Sequence, residues 1–172
     1  MGIAVFEKVS RERFVTDYLK VFPAFTKEEA EKAYDEIVLP TRATKGSAGY
    51  DIRTTADITV KPGESVMIPT GVRCRMREDY ALFVFPRSGL GFKFRFQLDN
   101  SVGVIDSDYY YSDNEGHIFV KMTNDSRSGK TVELKRNDAF SQGIFLQYGL
   151  TEDDEVSAVR NGGLGSTDLS GR

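Results

Sequence analysis

From Ala48 onward the chain is written in short β-favouring runs separated by turn residues at regular intervals, and this rhythm restricts the fold more than any other feature. Ile58-Thr59-Val60 gives way to Lys61-Pro62-Gly63-Glu64, where proline and glycine occupy the central positions of a type II turn. Ser65-Val66-Met67-Ile68 follows, then Pro69-Thr70-Gly71. Val72-Arg73-Cys74-Arg75-Met76 alternates apolar and charged residues, as a half-exposed strand does. Ala81-Leu82-Phe83-Val84-Phe85 is apolar throughout, which predicts a strand buried on both faces. Further strands are expected around 102–106, 117–122, 131–134 and 143–148. Strands this short and evenly spaced predict an all-β barrel or sandwich, and no internal repeat is visible.

The first part of the chain has a different period. Ser10 is placed to cap a helix through Leu19, with Phe14, Tyr18 and Leu19 on one face. Pro23 interrupts the pattern. Thr26 then opens a second helix, with Glu29 three residues on to complete a capping box. Its apolar face holds Ala30, Ala33, Tyr34 and Ile37, and Pro40 is expected to end it. The expected organisation is therefore an N-terminal helical appendage over 1–38, a β-barrel domain over 39–158 and a flexible glycine-rich C-terminal arm over 159–172. The appendage is read as cover for the barrel, with a binding surface for a regulatory partner as the other possibility.

With 172 residues, 40% of them hydrophobic, the chain has material for one ordinary core. A formal charge of -3 with both signs dispersed argues against a dedicated nucleic-acid binder. The single cysteine, Cys74, rules out an internal disulfide framework and a cysteine-rich zinc site, and is expected to be a buried strand residue. His117 is the only histidine and is read as a strand residue without catalytic duty. No apolar run has the length of a membrane span and no signal-peptide pattern opens the chain, so a soluble cytoplasmic protein is expected.

Five segments carry chemistry. Ala48-Gly49-Tyr50-Asp51 is by itself an ordinary strand entry. Pro86-Arg87-Ser88-Gly89-Leu90-Gly91 follows the apolar run: either a solvated polar turn, or a phosphate site with a planar guanidinium, a hydroxyl and glycines that admit a ligand to the backbone. In Asn100-Ser101-Val102-Gly103-Val104-Ile105-Asp106-Ser107-Asp108-Tyr109, both aspartates share one face of any strand that continues through them. They are solvated acids of a hairpin turn, or a general base toward water, or metal ligands. Asn137-Asp138-Ala139-Phe140-Ser141-Gln142 is a turn leading into a strand. Asn161-Gly162-Gly163-Leu164-Gly165-Ser166-Thr167 is either a disordered tail or a segment that orders on a terminal phosphate, and it lacks the G-K-[ST] order of a Walker A loop.

In this order and spacing the five segments resemble the motifs of the trimeric dUTPase family, from about Leu39 to Thr167. Pro86-Arg87-Ser88-Gly89 and Gly103-Val104-Ile105-Asp106-Ser107-Asp108-Tyr109 carry most of the resemblance. It implies a jelly-roll-like β barrel, a homotrimer with active sites at subunit boundaries, and magnesium-assisted hydrolysis of dUTP to dUMP and pyrophosphate. By resemblance, Asp106 orients the water that attacks the α-phosphorus, and the Tyr109 ring lies against the deoxyribose, leaving no room for a 2′-hydroxyl. Asn100 helps read uracil. Backbone groups of Gly103, Val104 and Ile105, with Phe119 on a paired hairpin strand, supply the other base contacts. Arg87, Ser88, Gly89 and Gln142 serve the phosphates, and Asp51 touches Mg2+ through water. Arg160, Leu164, Gly165, Ser166 and Thr167 belong to the arm that closes over the substrate.

The chain departs from the family pattern at several points. Tyr110-Tyr111-Ser112-Asp113-Asn114-Glu115 lengthens the expected hairpin tip before Gly116. Leu164 stands where phenylalanine is frequent and Ala139 where arginine is frequent. One residue fewer separates Arg160 from Gly162-Gly163, and the chain ends Asp168-Leu169-Ser170-Gly171-Arg172 where the family commonly has glycine after the threonine. Two alternatives accompany this reading. A dCTP deaminase, or a bifunctional enzyme of the same fold, needs a glutamate beside the pyrimidine, and the third segment offers only Glu115 in the tip. A non-catalytic nucleotide-sensing or protein-binding module has no use for the set Asp106, Arg87, Ser88 and Gln142.

Overall fold

The computed structural model describes residues 2–158 and residue 160. Its elements run β1 (Ala4–Lys8), α1 (Arg11–Val21), α2 (Lys27–Asp35), β2 (Thr41–Arg42), β3 (Tyr50–Arg53), β4 (Ile58–Val60), β5 (Ser65–Pro69), β6 (Val72–Met76), β7 (Tyr80–Pro86), α3 (Ser88–Phe94), β8 (Phe96–Leu98), β9 (Gly103–Ile105), β10 (Phe119–Asn124), β11 (Val132–Leu134) and β12 (Ala139–Gln147). A five-stranded antiparallel sheet runs β2-β3-β12-β7-β9, and a three-stranded one runs β5-β10-β8. The pairs β1-β6 and β4-β11 complete an all-β, jelly-roll-like fold.

Local chemistry accounts for the helices. The Ser10 hydroxyl accepts from the Arg13 N–H at 3.1 Å and starts α1. Thr26 and Glu29 form the expected capping box on α2. Phe14 and Tyr18, one turn apart, are buried together with ring centroids 5.3 Å apart, and Phe22 and Phe25 stand edge-on to Tyr18. Burying Phe14 stabilises the fold by roughly 1.5–3 kcal/mol.

Gly71 fixes how the helices meet the barrel. It sits at φ +71°, and a β-carbon there would clash with Ile37 Cδ1 and approach Phe14 Cδ2 to 3.0 Å. Its carbonyl accepts from the Val9 N–H at 3.0 Å.

The structure departs from the sequence expectations in several places. The chain opens with strand β1 on β6 and not directly with a helix. Helix α2 ends at Asp35, well before Pro40, and Glu36 caps it through the Lys32 and Tyr34 carbonyls. The β7 strand is not buried on both faces: Leu82 and Val84 point inward, while Phe83 and Phe85 stay half-exposed. The Ser88–Gly91 turn is the first part of helix α3. Finally, β9 and β10 do not pair as a hairpin. The β9 strand lies on β7, β10 lies between β5 and β8, and a 3-10 helix over Ser107–Tyr111 carries the chain away between them.

Candidate active site

The third segment and β10 enclose a pocket of about 240 Å³, lined in part by Leu98, Asn100, Gly103, Val104, Phe119 and Lys121. Val104 and Phe119 thus meet across a pocket although their strands are not ladder partners. Gly103 lets β9 press onto β7, since a β-carbon there would lie 3.2 Å from Val84 Cβ. Asn100 rides on a tight turn in which Ser101 adopts φ +64° and donates its N–H to the Leu98 carbonyl at 3.0 Å. Asp99 anchors that turn. Its carboxylate takes hydrogen bonds from Lys121 Nζ, at 2.8 Å, and the Thr123 hydroxyl, and these hold it below the usual carboxylate range. Asp99 and Lys121 line the pocket as well, and the sequence reading missed both. The period of two along β10, which puts Lys121 on the Phe119 face, is the signal that points to Lys121.

Asp106 follows the last residue of β9, half-exposed at a cleft of about 620 Å³ shared with Asp108, Tyr111, Tyr148 and Arg160. The strand stops at Ile105, so Asp106 and Asp108 do not share a strand face, yet both reach Arg160. Its Nη2 lies 2.5 Å from Asp106 Oδ2 and its Nε 2.9 Å from Asp108 Oδ1. The same guanidinium stands 5.9 Å from the centre of the Tyr109 ring. Tyr109 is buried; its hydroxyl donates to the His117 carbonyl at 2.8 Å and accepts from Asn114 Nδ2 at 2.8 Å. Burial raises its phenol pKa, so the hydroxyl keeps its proton.

A second cluster gathers the first, second and fourth segments. Arg87 Nη1 lies 3.3 Å from Asp51 Oδ2, and Gln142 Nε2 donates to the Pro86 carbonyl at 3.1 Å. Gln142 faces Asp51 across β12–β3 and Phe85 across β12–β7. Gly49 leaves the room that the Gln142 amide fills. Ser88 and Gly89 are exposed beside Arg87. The cluster therefore presents a guanidinium, a hydroxyl and open backbone to an anion.

The two groups lie at opposite ends of β7. Ile105 is opposite Leu82, whereas Arg87 follows Pro86 at the far end of that strand. At about 3.3 Å per residue, Asp106 and Arg87 of one chain are on the order of 15–20 Å apart. Between them runs an apolar sheet face. Phe83 is opposite both Val104 and Ile144, Phe85 is opposite Gln142, and directly opposed residues share a face. Val104 is 52% exposed and Leu146, on the same face of β12, is 44% exposed.

A model of the dUTPase family matches residues 35–168. The chain belongs to the dUTPase family. The deoxyuridine 5'-triphosphate nucleotidohydrolase of Lactococcus lactis is 40% identical over 134 residues, covering 76% of this chain and 88% of that protein. The enzyme of the same name from Shewanella baltica is 38% identical over 138 residues, covering 76% and 86%. Among solved structures, the dUTPase of Streptococcus mutans is 34% identical with a TM-score of 0.63, covering 86% of this chain and 98% of that one. A Staphylococcus bacteriophage 80alpha dUTPase variant is 16% identical with a TM-score of 0.64, covering 94% and 100%, and shows the shared fold alone.

Other expectations for this dUTPase-family chain resolve as follows. Cys74 is buried on β6, and burial, with Glu7 nearby, pushes its thiol up to about 12. His117 is fully buried but precedes β10 instead of lying in a strand. Leu164, Gly165, Ser166 and Thr167 lie outside the described residues. Among the described residues no cluster of three or more histidine, cysteine or acidic side chains is arranged to hold a metal, and no helix is long and apolar enough to cross a membrane. The one acid of the Arg87 cluster, Asp51, fits a cation that keeps most of its ligands as water and phosphate oxygens.

Proposed function

We propose that this chain is a cytoplasmic dUTP diphosphatase, working as a homotrimer whose active sites are each completed by a neighbouring subunit. The observation that carries the reading is the division of the site. Asp106 sits at one end of β7 and a phosphate-binding set at the other, with the base pocket against Val84 and Gly103 and a half-exposed apolar face between. A second copy packed on that face would bring its Arg87 cluster toward the first copy's Asp106.

In such a site uracil occupies the 240 Å³ pocket, with Asn100 and the backbone of Gly103, Val104, Ile105 and Phe119 as its hydrogen-bonding wall. A wall built to pair with uracil leaves polar groups unpaired when another base enters. The Tyr109 ring closes the sugar side against a 2′-hydroxyl. Arg87, Ser88, Gly89 and Gln142 hold phosphate oxygens, and Arg160, with Leu164, Gly165, Ser166 and Thr167, joins them from the C-terminal arm. Asp51 would hold a magnesium ion through water beside the phosphates, and that ion would supply further charge neutralisation. Asp106 holds a water in line with the α-phosphorus and accepts its proton as the oxygen attacks; pyrophosphate leaves. Phosphoryl transfer of this kind depends on positioning and charge rather than on a covalent intermediate. Cytoplasmic placement is consistent with Cys74 as a thiol in a reducing compartment.

The test is release of pyrophosphate from dUTP with magnesium, with dCTP alongside, and the mass of the assembly. Production of dUMP by a trimer supports the reading. Deamination of dCTP, or tight nucleotide binding with no product, refutes it. The pocket speaks against deamination, since its lining contains no glutamate and the Glu115 carboxylate is engaged by Ser10.

A further inference from the structure

The segment that follows Asp106 is held by β1, by α1 and by Ser10 between them. Glu115 accepts from both the N–H and the hydroxyl of Ser10, each at 2.7 Å. Arg13 Nη2 donates to the Asp113 carbonyl at 3.0 Å, and the Tyr110 hydroxyl donates to Glu7 Oε2 at 2.5 Å. At the centre of these contacts is His117, fully buried and without a part in the proposed chemistry. The Gly71 N–H donates to its Nε2 at 2.8 Å, so the ring proton is on Nδ1 and points to Asp17 Oδ2 at 2.7 Å. Asp17 is on α1, with Arg13 one turn before it at 3.7 Å.

His117 also touches two residues of the proposed nucleoside site. Its carbonyl accepts the Tyr109 hydroxyl at 2.8 Å, and its ring lies 4.3 Å, centre to centre, from Phe119 in the base pocket. Asn114 closes the loop by donating to the Tyr109 hydroxyl at 2.8 Å and to the His117 carbonyl at 3.4 Å.

We propose that β1 and α1 act as a clamp that positions the nucleoside-binding loop, with Asp17 as the positioning residue that sets Tyr109 and Phe119 through His117. The clamp gives the N-terminal segment a part in substrate selection. It rests on the reading of Tyr109 as the wall against the deoxyribose. A side chain that screens a 2′-hydroxyl by contact must be held to within a fraction of an ångström, and Tyr109 has its hydroxyl tied to a carbonyl whose own residue is tied to α1. The Asp17 contact needs an acceptor oxygen and not a charge, because the imidazole is neutral in this tautomer.

The experiment compares steady-state hydrolysis of dUTP and UTP by wild type, Asp17→Ala, Asp17→Asn, Glu115→Ala and Tyr109→Ala. Asp17→Ala is expected to lower the dUTP-to-UTP ratio of kcat/KM roughly tenfold, with the dUTP KM rising more than kcat falls. Asp17→Asn, which keeps an oxygen facing Nδ1–H, is expected to restore the ratio. Glu115→Ala is expected to shift it in the same direction as Asp17→Ala, and it carries the test if Asp17→Ala does not fold. A lower melting temperature with an unchanged ratio in these variants would overturn the clamp. Loss of the ratio in Tyr109→Ala beside its retention in Asp17→Ala and Glu115→Ala sinks the clamp alone. Retention in Tyr109→Ala sinks the sugar-wall reading and the clamp with it.

Discussion

Arg160 holds Asp106 and Asp108 together, its Nη2 2.5 Å from one carboxylate and its Nε 2.9 Å from the other. Asp106, just after β9, and Asp108, in the 3-10 helix, are gathered by one planar guanidinium, whose fork geometry suits two separate acceptors. Asp106 keeps half its surface exposed beside the cleft, where a water has access to it.

Asp106→Asn removes the proton acceptor while keeping the size of the side chain. Turnover of dUTP is expected to fall by roughly a hundredfold to ten-thousandfold. Affinity for a non-hydrolysable dUTP analogue, measured by calorimetry, should stay within a few-fold of wild type, about 1 kcal/mol at most. A near-normal turnover number would remove Asp106 from the proposed chemistry.

Arg160→Ala deletes a cation that faces two acids in the free chain and the triphosphate in the proposed complex. Loss of charge-assisted hydrogen bonds predicts a drop in kcat/KM of roughly tenfold to a hundredfold. Arg160→Lys is expected to recover little of it, because an ammonium offers no planar fork. Full recovery with lysine would reduce the role of Arg160 to net charge.

How far the sequence foretold these features depends on the range of the interactions involved. Both helix starts were legible because Ser10 and Thr26 act on amides within their own first turn. Strand β1 was not, because its partner β6 lies far along the chain and its own residues alternate weakly. Helix α3 contains Gly89 and Gly91, which disfavour a helix, so tertiary contacts decide it. The segments of the proposed site were legible as residue types in order. The separation of Asp106 from Arg87 along β7 was not, because it follows from β9 pairing with β7 and not with β10. Asp99, Lys121 and Asp17 carry no motif and gain significance only from what they touch in space.

Gly71→Ala tests the junction of helices and barrel. The new methyl group would meet Ile37 and Phe14, and the residue would be held at φ +71°. Overpacking and backbone strain together predict a loss of about 3 kcal/mol. Urea unfolding measures it as a shift in midpoint at constant slope. An unchanged midpoint would mean that the helices yield without cost.

Glu115 gives the contact with Ser10 a pH signature. Burial alone raises its pKa, but the hydrogen bonds from the Ser10 N–H and hydroxyl, with Arg73 and Arg13 nearby, prevail and hold it below the ordinary glutamate value. A carboxylate depressed on folding adds stability above its unfolded value, about 4.3, and that stability is lost as pH falls through the folded value. The stability advantage of wild type over Glu115→Gln should therefore be level at neutral pH and fade below about pH 4. A difference that does not change across that range would contradict the depressed carboxylate.

The division of the site along β7 can be tested with two inactive variants. Asp106→Asn leaves Arg87 intact, and Arg87→Ala leaves Asp106 intact. Within one chain these residues stand at opposite ends of a strand, so a site made inside a single chain gains nothing when the two variants are mixed. A site shared between neighbours does gain. Where an Arg87→Ala subunit supplies Asp106 and its Asp106→Asn neighbour supplies Arg87, both groups are wild type. Random assembly from equal amounts, by co-expression or by refolding together, makes about a quarter of the sites of a closed ring complete. The mixture is expected to recover about a quarter of wild-type turnover at saturating dUTP, while each variant alone stays near zero. Recovery should vanish when the second variant carries both substitutions. A mixture no more active than its components, with mixed trimers demonstrated by mass, would place the whole reaction within one chain.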